Sequence, residues 1–268
     1  MKLQLIASDL DGTLLGPNAT LSPLTIAALQ RAHDAGVVIV AATGRSQHSA
    51  LELLRPAGVV SWAICSNGAT RYDLVADSVV HHHMIDAVDV EVFIDRLRTE
   101  FGEIGVAWET TEHMGWDELY DRHRNALIPR PEPQEGRIVP FPVGENLVKL
   151  LVTHPALTHD EWLDAVTPHA GGQMSVSTSG TDFVEITHAI ATKGQELASL
   201  CEQLGIAASG VAAFGDQVND LDMVQWAGRG YAMENASPKL KNAASHCAPH
   251  HGEHGVAAII DELLDGIL

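Results

Sequence analysis

Two carboxylates one residue apart, Asp9 and Asp11, stand near the start of the chain in the run Asp9-Leu10-Asp11-Gly12-Thr13. The apolar residues 3–7 precede them, and such a segment is typical of a buried parallel strand. At the exit of that strand, Asp9 could attack an electrophile, while Asp11 could exchange protons with the leaving group and then with water. Asp and Gly are also common in ordinary turns, so this run decides little by itself.

Two more polar segments follow predicted strands farther along the chain. Thr43-Gly44-Arg45 comes after the apolar residues 37–42, and Gly215-Asp216 comes at the end of the apolar run 211–214. In an open parallel sheet, ligands bind beyond the carboxyl ends of the strands, which meet at one edge. We therefore expect Asp9, Thr43 and Asp216 to converge, although they are far apart in sequence.

Hydrolysis of a phosphate monoester needs an in-line nucleophile and neutralisation of the negative charge on the phosphoryl group. The side chains expected at that edge of the sheet could supply both. Asp9 could form an aspartyl-phosphate, and Asp11 could protonate the leaving alcohol and then take a proton from water. Mg²⁺ prefers oxygen ligands, which the Asp9 carboxylate, the main-chain carbonyl of Asp11 and Asp216 could supply. The sequence thus predicts a Mg²⁺ site beside a phosphate site.

Other side chains would complete this site. The Thr43 hydroxyl and nearby backbone amides could hold a phosphoryl oxygen, and Lys193 could place a positive charge on it. We expect the Lys193 side chain to face solvent when no substrate is bound. Asn219 and Asp220, beside Asp216, could support the metal or its waters.

Each downstream segment has a simpler explanation when it is taken alone. Thr43-Gly44-Arg45 could be an ordinary turn, Lys193 a solvated residue at a helix start, and residues 216–220 an acidic helix N-terminus favoured by the helix dipole. These explanations do not account for all the segments in this order at the ends of predicted strands. The joint pattern favours a catalytic site.

Strand and helix patterns alternate at both ends of the chain, and a different sequence pattern occupies the middle. Ser22 and Pro23 are a typical N-cap and first-turn pair for the first helix, which Gly36 ends. Predicted strands cover residues 3–7, 37–42, 62–65, 148–152, 183–186 and 211–214. Predicted helices cover residues 23–35, 89–100, 160–166, 196–204, 219–226 and 256–268, and another ends near residue 55.

This order predicts an α/β fold in which a Rossmann-like, doubly wound parallel sheet carries an inserted α+β domain. The sheet and its helices would comprise residues 1–80 and 188–268, and the inserted domain residues 81–187. The insertion contains a proline-rich stretch at residues 129–142.

Composition excludes several classes of protein. The 268 residues carry a formal net charge of −19 and are 46% hydrophobic, so the chain is globular and should avoid nucleic acid and anionic membranes. No stretch approaches the roughly 20 apolar residues of a membrane span, and three scattered cysteines fit a reducing compartment, so we expect a cytoplasmic protein. A divalent metal and placed Lys or Arg residues would have to offset the acidic field around an anionic substrate.

The histidines and tryptophans of the chain are expected to have structural rather than catalytic roles. His246, His250 and His254 have the i, i+4 spacing of a transition-metal site on a helix, but Pro249 and Gly252 interrupt any regular helix there, so surface histidines are expected. The tryptophans of the middle segment are expected mainly in its core.

The four segments together resemble the haloacid dehalogenase superfamily, and more narrowly its Cof-type phosphatases, whose large α+β cap lies between the second and third motifs. The resemblance runs in order along the whole chain. It is carried by Asp9-Leu10-Asp11-Gly12-Thr13, Ala42-Thr43-Gly44-Arg45, Ser66-Asn67-Gly68-Ala69, Lys193-Gly194, residues 215–223, residues 232–236, Leu240-Lys241 and Gly255-Val256-Ala257.

The resemblance implies a role for each matching residue. Asp9 would be the nucleophile and Asp11 the general acid and base; Asp9, Asp11 and Asp216 would hold Mg²⁺. The phosphate-binding residues it implies are Thr43, Gly44, Lys193 and Asn219. The supporting residues it implies are Arg45, Asn67 and Asp220. The cap would select the substrate, a small phosphorylated metabolite such as a sugar phosphate or a phosphorylated flavin precursor.

Other functions remain open at this stage. A phosphomutase would pass the same aspartyl-phosphate to a second hydroxyl, and a non-catalytic phosphate-binding module would be expected to lack at least one of Asp9, Asp11, Lys193 and Asp216. A dehalogenase is disfavoured because its leaving halide needs no partner like Asp11. An ion-pumping ATPase is excluded by the lack of membrane spans.

Overall fold

A computed structural model describes residues 2–127, 138–178 and 183–266 of the chain. One unit is formed by Met1–His81 together with Thr192–Leu268, and a second by His82–Ala191. Most of the proline-rich stretch lies outside the described residues. Within the described part of the chain, no helix has the length and apolar character needed to cross a membrane.

The strands and helices are as follows. The strands are β1 (Leu5–Ser8), β2 (Val38–Ala42), β3 (Trp62–Cys65), β4 (Thr70–Asp73), β5 (Ser78–His82), β6 (Gly105–Glu109), β7 (Met114–Trp116), β8 (Lys149–Thr153), β9 (Met174–Ser177), β10 (Val184–His188), β11 (Val211–Gly215), β12 (Arg229–Met233) and β13 (His246–Ala248). The helices are α1 (Pro23–Asp34), α2 (Gln47–Leu54), α3 (Ala87–Phe101), α4 (Glu118–Leu127), α5 (His159–Val166), α6 (Lys193–Leu204), α7 (Leu221–Trp226), α8 (Pro238–Ala243) and α9 (Gly255–Leu264).

The first unit is organised around an eight-stranded sheet in the order β13-β12-β11-β1-β2-β3-β4-β5. Six of these strands, β13 to β3 in that order, run parallel, and β4 turns back antiparallel to β3. Strand β1 lies between β2 and β11, and all four of its residues are buried. The predicted doubly wound parallel sheet is therefore confirmed.

Alternate residues of β1 face two different hydrophobic clusters, because successive side chains of a strand point to opposite faces. Ile6 belongs to the cluster that includes Leu29 of α1 and Ile260 of α9. Leu5 belongs to the cluster that includes Leu197 of α6. Helices thus cover both faces of the sheet, which explains why its interior strands read as uninterrupted apolar runs.

Helix α1 begins where the sequence predicts. The Ser22 hydroxyl accepts a hydrogen bond from the Thr25 amide at 3.1 Å, and Pro23 occupies the first helical position. The cap satisfies one of the amides that a helix N-terminus leaves unpaired.

The second unit contains a five-stranded sheet in the order β7-β6-β8-β10-β9. Strand β6 pairs with β7 and β8, and β10 pairs with β8 and β9, all antiparallel. Trp108, Trp116 and Trp162 are each at most 2% exposed, as predicted for core residues of this segment. One face of the sheet also buries an ion pair between Lys149 and Glu185, whose Nζ and Oε1 atoms are 3.2 Å apart.

Candidate active site

The segment that follows β1 makes a tight helical turn over Leu10–Leu14. Its geometry requires glycine at position 12, where φ is +77° and an added Cβ would lie 2.4 Å from the Asp216 Oδ2 atom. The Asn235 side-chain amide donates to the Gly12 carbonyl at 2.8 Å, which fixes the turn from the loop after β12. The turn places Asp9 directly beyond the strand, with its amide bonded to the Phe214 carbonyl at 3.0 Å.

Lys193 lies between two carboxylates at the start of α6. Its Nζ donates to Asp9 Oδ1 at 2.7 Å and to Asp220 Oδ1 at 2.6 Å. The expectation that this side chain faces solvent is wrong, since Lys193 is only 1% exposed. Its burial is possible because the two carboxylates replace the lost hydration.

Asp220 also shapes the loop that carries Asp216. Its second oxygen, Oδ2, accepts hydrogen bonds from the backbone amides of Asp216 and Gln217, both at 3.0 Å. Asp220 therefore links Lys193 to the end of β11. The sequence suggested only a supporting position for it, yet no side chain in the site is more deeply buried.

Asp216 has weaker, uncharged partners. Its carboxylate accepts hydrogen bonds from Thr13 Oγ1 at 3.3 Å and from Gln217 Nε2 at 3.1 Å. Burial, and then the nearby Asp220 charge, raise the pKa of Asp216 to about 6. Burial also raises the pKa of Asp9 well above its usual range, although Lys193 acts in the opposite direction. The site thus holds more negative charge than Lys193 neutralises.

These carboxylates fit a divalent cation. Asp9, Asp216 and Asp220 each offer an oxygen, and the three atoms lie within 4.8 Å of one another. Three buried carboxylates against one ammonium leave two negative charges, which one divalent ion would balance. An all-oxygen donor set is the kind that hard cations prefer.

The side chain of Asp11 is held at the edge of the site by Arg45. The guanidinium donates from Nε to Asp11 Oδ2 and from Nη2 to Oδ1, both at 2.6 Å, and from Nη1 to Ser49 Oγ at 3.2 Å. Hydrogen bonding to Asp11 raises the pKa of Arg45. The Asp11 carboxylate is half-exposed, which is compatible with the predicted exchange of protons with substrate and water. Coordination by its main-chain carbonyl remains a prediction.

The end of β2 supplies the predicted phosphate loop. Thr43 is buried beyond Ala42, with its amide bonded to the Ile64 carbonyl at 2.8 Å and its hydroxyl accepting from the Arg45 amide at 3.1 Å. Gly44 lies between these two residues and forms the middle of the turn.

Asn67 and Asn219 meet although 152 positions separate them. The Asn219 Nδ2 atom donates to Asn67 Oδ1 at 3.0 Å. Each of the ten residues predicted for the site thus lies at a strand end, in the helical turn after β1, at the start of α6, or in a loop joined to one of these. Which of them contact substrate remains a prediction.

Three residues of the quoted sequence motifs position the site, although the sequence predicts no individual role for them. Thr13 and Gln217 bind Asp216, and Asn235 binds the Gly12 carbonyl and, through Oδ1, the His251 amide at 3.1 Å. The His251 ring in turn lies 2.9 Å from the Leu15 carbonyl oxygen. Asn235 stands in the run 232–236 that carries part of the family resemblance, and this was the available signal. One of the C-terminal histidines thus has a structural contact.

Comparison with known proteins agrees with this geometry. The family model of haloacid dehalogenase-like hydrolases matches residues 6–260. The 5-amino-6-(5-phospho-D-ribitylamino)uracil phosphatase YwtE of Bacillus subtilis is 28% identical over 98% of this chain and 99% of its own. The pyridoxal phosphate phosphatase YbhA of Escherichia coli is 30% identical over 91% of this chain and 93% of its own.

A solved structure extends the likeness to three dimensions. A phosphatase of the haloalkanoate enzyme superfamily from Bacteroides thetaiotaomicron superposes with a TM-score of 0.83 at 25% identity, covering 100% of this chain and 96% of that one. Hydrolases of this superfamily generally use a divalent metal, which suits the three clustered carboxylates. Because the family model matches residues 6–260 and the relatives are phosphatases, this chain belongs to the haloacid dehalogenase-like hydrolases as a Cof-type phosphatase, a hydrolase that acts on phosphate esters.

Proposed function

We propose that this protein is a Mg²⁺-dependent phosphatase that hydrolyses monoesters of small phosphorylated metabolites through a phosphoryl group carried on Asp9. The observation that carries the proposal is the contact between Asp9 and Lys193. A buried ammonium 2.7 Å from Asp9 Oδ1 orients the carboxylate and leaves Oδ2 for attack.

The proposed reaction has two steps. Asp9 Oδ2 attacks phosphorus while the ester bond breaks, and a protonated Asp11 gives its proton to the departing alkoxide. Asp11, now a carboxylate, takes a proton from water as that water attacks the phosphoryl group on Asp9, which releases inorganic phosphate and restores Asp9. In the structure Arg45 holds the ionised Asp11 carboxylate, so this pair would open when Asp11 carries the proton that the first step needs.

Charge around the phosphoryl group is shared among several residues. Lys193 would lie close to it, and the Thr43 hydroxyl, the Gly44 backbone and Asn219 would offer hydrogen bonds. A Mg²⁺ ion held by Asp9, Asp216 and the Asp11 main-chain carbonyl would neutralise negative charge that develops at the phosphoryl oxygens. Asp220 would act on the reaction through Lys193 and the loop carrying Asp216.

The substrate class is inferred from the relatives. The names of two of them specify a phosphorylated ribitylaminouracil and pyridoxal phosphate, both monoesters of small ring-containing molecules. We infer that the inserted segment, predicted as residues 81–187, is a substrate-specificity domain. An insertion that leaves the catalytic sheet uninterrupted can vary with the leaving group while the phosphate site is retained.

The test is release of inorganic phosphate from a panel of monoesters that includes both of those compounds. We expect activity with Mg²⁺, none with excess EDTA, and none for Asp9→Asn, which keeps the size of the side chain and an acceptor for Lys193 but cannot attack. Asp34→Asn, which removes an exposed carboxylate of α1, is the matched control and should retain full activity. Turnover by Asp9→Asn near the wild-type rate, or full activity in EDTA, would refute the mechanism.

A further inference from the structure

We infer that Asn67 binds the phosphoryl group of the substrate directly, by donating a hydrogen bond from its side-chain amide. This inference rests on the proposed phosphatase function and adds a contact to it, because Asn67 was expected only to support the site. Four observations around the loop Ser66-Asn67-Gly68 carry the argument.

The loop is held in an unusual backbone conformation. Ser66, Asn67 and Gly68 have φ values of +50°, +58° and +102°, so two residues with side chains lie in the left-handed region. This region is less favourable than an ordinary conformation for residues that carry a side chain. Both are also buried. Strained, buried backbone of this kind persists where surrounding contacts enforce it, and it clusters at functional sites.

The contacts that enforce it come from the phosphate loop. The Ser66 amide donates to the Arg45 carbonyl at 2.8 Å, and the Asn67 amide donates to the Thr43 carbonyl at 3.0 Å. The strained loop is therefore fixed to the segment predicted to hold a phosphoryl oxygen.

Its other side touches the start of α6. A Cβ added to Gly68 would lie 2.4 Å from the carbonyl oxygen of Thr192, the residue before Lys193. The loop Ser66-Asn67-Gly68 thus lies between the segment 43–45 and the start of α6, where Lys193 is located.

The Asn67 amide has an unused donor. Asn67 is 4% exposed, its Oδ1 accepts from Asn219, and its Nδ2 has no hydrogen-bond partner within the described part of the chain. Asn219 Oδ1 is likewise buried and unpaired among the described residues. Turning both amides over would place the free donor on Asn219 and the free acceptor on Asn67; in the orientation of the structure the free donor is Asn67 Nδ2. A buried amide donor is rarely left without a partner, so a ligand is expected to supply one.

The chemistry of the surroundings identifies that partner. Asn67 is hydrogen-bonded to the Thr43 carbonyl and to Asn219, and its neighbour Gly68 approaches the residue before Lys193. Thr43, Asn219 and Lys193 are all assigned to the phosphoryl group rather than to the leaving alcohol. A phosphoryl oxygen is a strong acceptor, and a neutral amide donor binds it without changing the charge balance of the carboxylate cluster. A hydrogen bond from Asn67 to the phosphoryl group should therefore raise kcat/KM by the same factor for every ester.

Two substitutions test this inference in the full-length protein with Mg²⁺. Asn67→Gly removes the side chain at a left-handed position without adding backbone strain, and Asn67→Asp keeps the shape and the acceptor for Asn219 but loses the donor. We expect Asn67→Gly to lower kcat/KM about 10- to 150-fold by a common factor for all esters, the range for hydrogen bonds to charged groups. Asn67→Asp should be at least as impaired, since a carboxylate would face the phosphoryl oxygens.

Inorganic phosphate supplies a readout that does not depend on turnover. Its dissociation constant, measured by calorimetry, should rise in both variants by a factor similar to the loss in kcat/KM. Ala19→Gly, at another left-handed residue with φ of +52°, is the control for the effect of glycine itself and should bind phosphate normally.

Three results would count against the inference, and each is distinct. If Asn67 only orients Asn219, Asn67→Asp should keep near-normal phosphate affinity while Asn67→Gly loses it. Unchanged affinity in both variants, or a loss that differs between leaving groups, would also overturn the contact. If the wild-type protein binds phosphate through Asn67 yet hydrolyses no ester, the proposed function fails and this inference stands.

Discussion

Lys193 carries one positive charge in a buried cluster in which Asp9, Asp216 and Asp220 provide three carboxylates. Burial disfavours its charged form, but Asp220 and Asp9 outweigh that effect and raise the pKa of Lys193 above its usual range. We therefore expect the Lys193 side chain to stabilise the folded site and also to orient Asp9, the proposed nucleophile.

Removing that ammonium should reduce both stability and catalysis. Lys193→Met leaves Asp9 and Asp220 buried without their partner, which we expect to lower the free energy of unfolding by about 3–5 kcal/mol. The loss in kcat/KM should be about 30- to 1000-fold, typical of a lost charge contact to the reacting group. Urea unfolding in EDTA and phosphate release in Mg²⁺ measure the two effects.

An exposed lysine provides the comparison. Lys241→Met in α8 should change neither quantity appreciably, since that side chain lies in solvent. If Lys193→Met unfolds at the same urea concentration as the wild type, the buried ion pairs do not contribute to stability as argued here.

The positions of the site residues are partly predictable from sequence, for a physical reason. Asp9, Thr43 and Asp216 directly follow or nearly follow uninterrupted apolar runs, and parallel strands end at a common edge, so their convergence could be predicted. The burial of Lys193 could not, because a single lysine is usually exposed and its partner Asp9 is 184 positions away. The pairing of Asp11 with Arg45 depends on side-chain direction, which strand and helix patterns do not contain.

The turn after β1 joins several parts of the sheet. Asn235 holds it from the loop after β12, and Thr13 within it binds Asp216 beyond β11. Gly12 leaves no room for a side chain beside Asp216, since an added Cβ would lie 2.4 Å from Asp216 Oδ2. A side chain at that position would push apart the two strand ends that carry the clustered carboxylates.

Substitutions at two glycines with similar backbone angles distinguish the cost of backbone strain from the cost of a steric clash. Gly12 and Gly36 have φ values of +77° and +82°, but an added Cβ meets Asp216 only at Gly12 and finds nothing within 4 Å at Gly36. Gly36→Ala should cost about 1 kcal/mol in unfolding free energy from backbone strain alone. Gly12→Ala should cost about 1–3 kcal/mol more and abolish most activity, because Asp216 must move.

Thermal or urea unfolding of Gly12→Ala and Gly36→Ala measures the two losses in stability, and phosphate release measures the two activities. Equal stability losses and equal activities in the two variants would show that the collision at Gly12 is relieved without moving Asp216.

Prediction of elements succeeded where the apolar pattern was long and uninterrupted. Helix α1 and strand β3 begin at the predicted residues. Strands β4, β5, β12 and β13 were not predicted, because they are three to five residues long and mix polar with apolar side chains. Helix α6 begins at Lys193 rather than at Glu196, since the Thr192 hydroxyl caps it by accepting from the Gln195 amide at 3.1 Å.

At the scale of the molecule, the chain consists of a sheet unit made from both of its ends and an inserted unit of residues 82–191. Every residue assigned here to phosphate or metal belongs to the first unit. Substrate choice is assigned to the second. This division predicts that the substrate preference can be exchanged while the binding of phosphate and metal is retained.

A chimera tests that prediction. Residues 82–191 would be replaced by the corresponding segment of the Escherichia coli pyridoxal phosphate phosphatase, a relative at 30% identity. We expect pyridoxal phosphate to become the preferred ester, measured as kcat/KM across the panel, while the Mg²⁺ requirement persists. A correctly folded chimera that ranks the esters as the wild type does would remove the inserted unit from substrate selection.

The central position of β1 also bears on how the protein is made. Leu5 pairs with Val38 on one side and with Val211 on the other, so one edge of β1 stays open until the last quarter of the chain has been synthesised. The inserted unit, whose five strands pair with one another, can fold on the ribosome before that edge is filled. We therefore expect the catalytic centre to form last, and chains released before residue 211 to be inactive and to expose a strand edge on which aggregation can start.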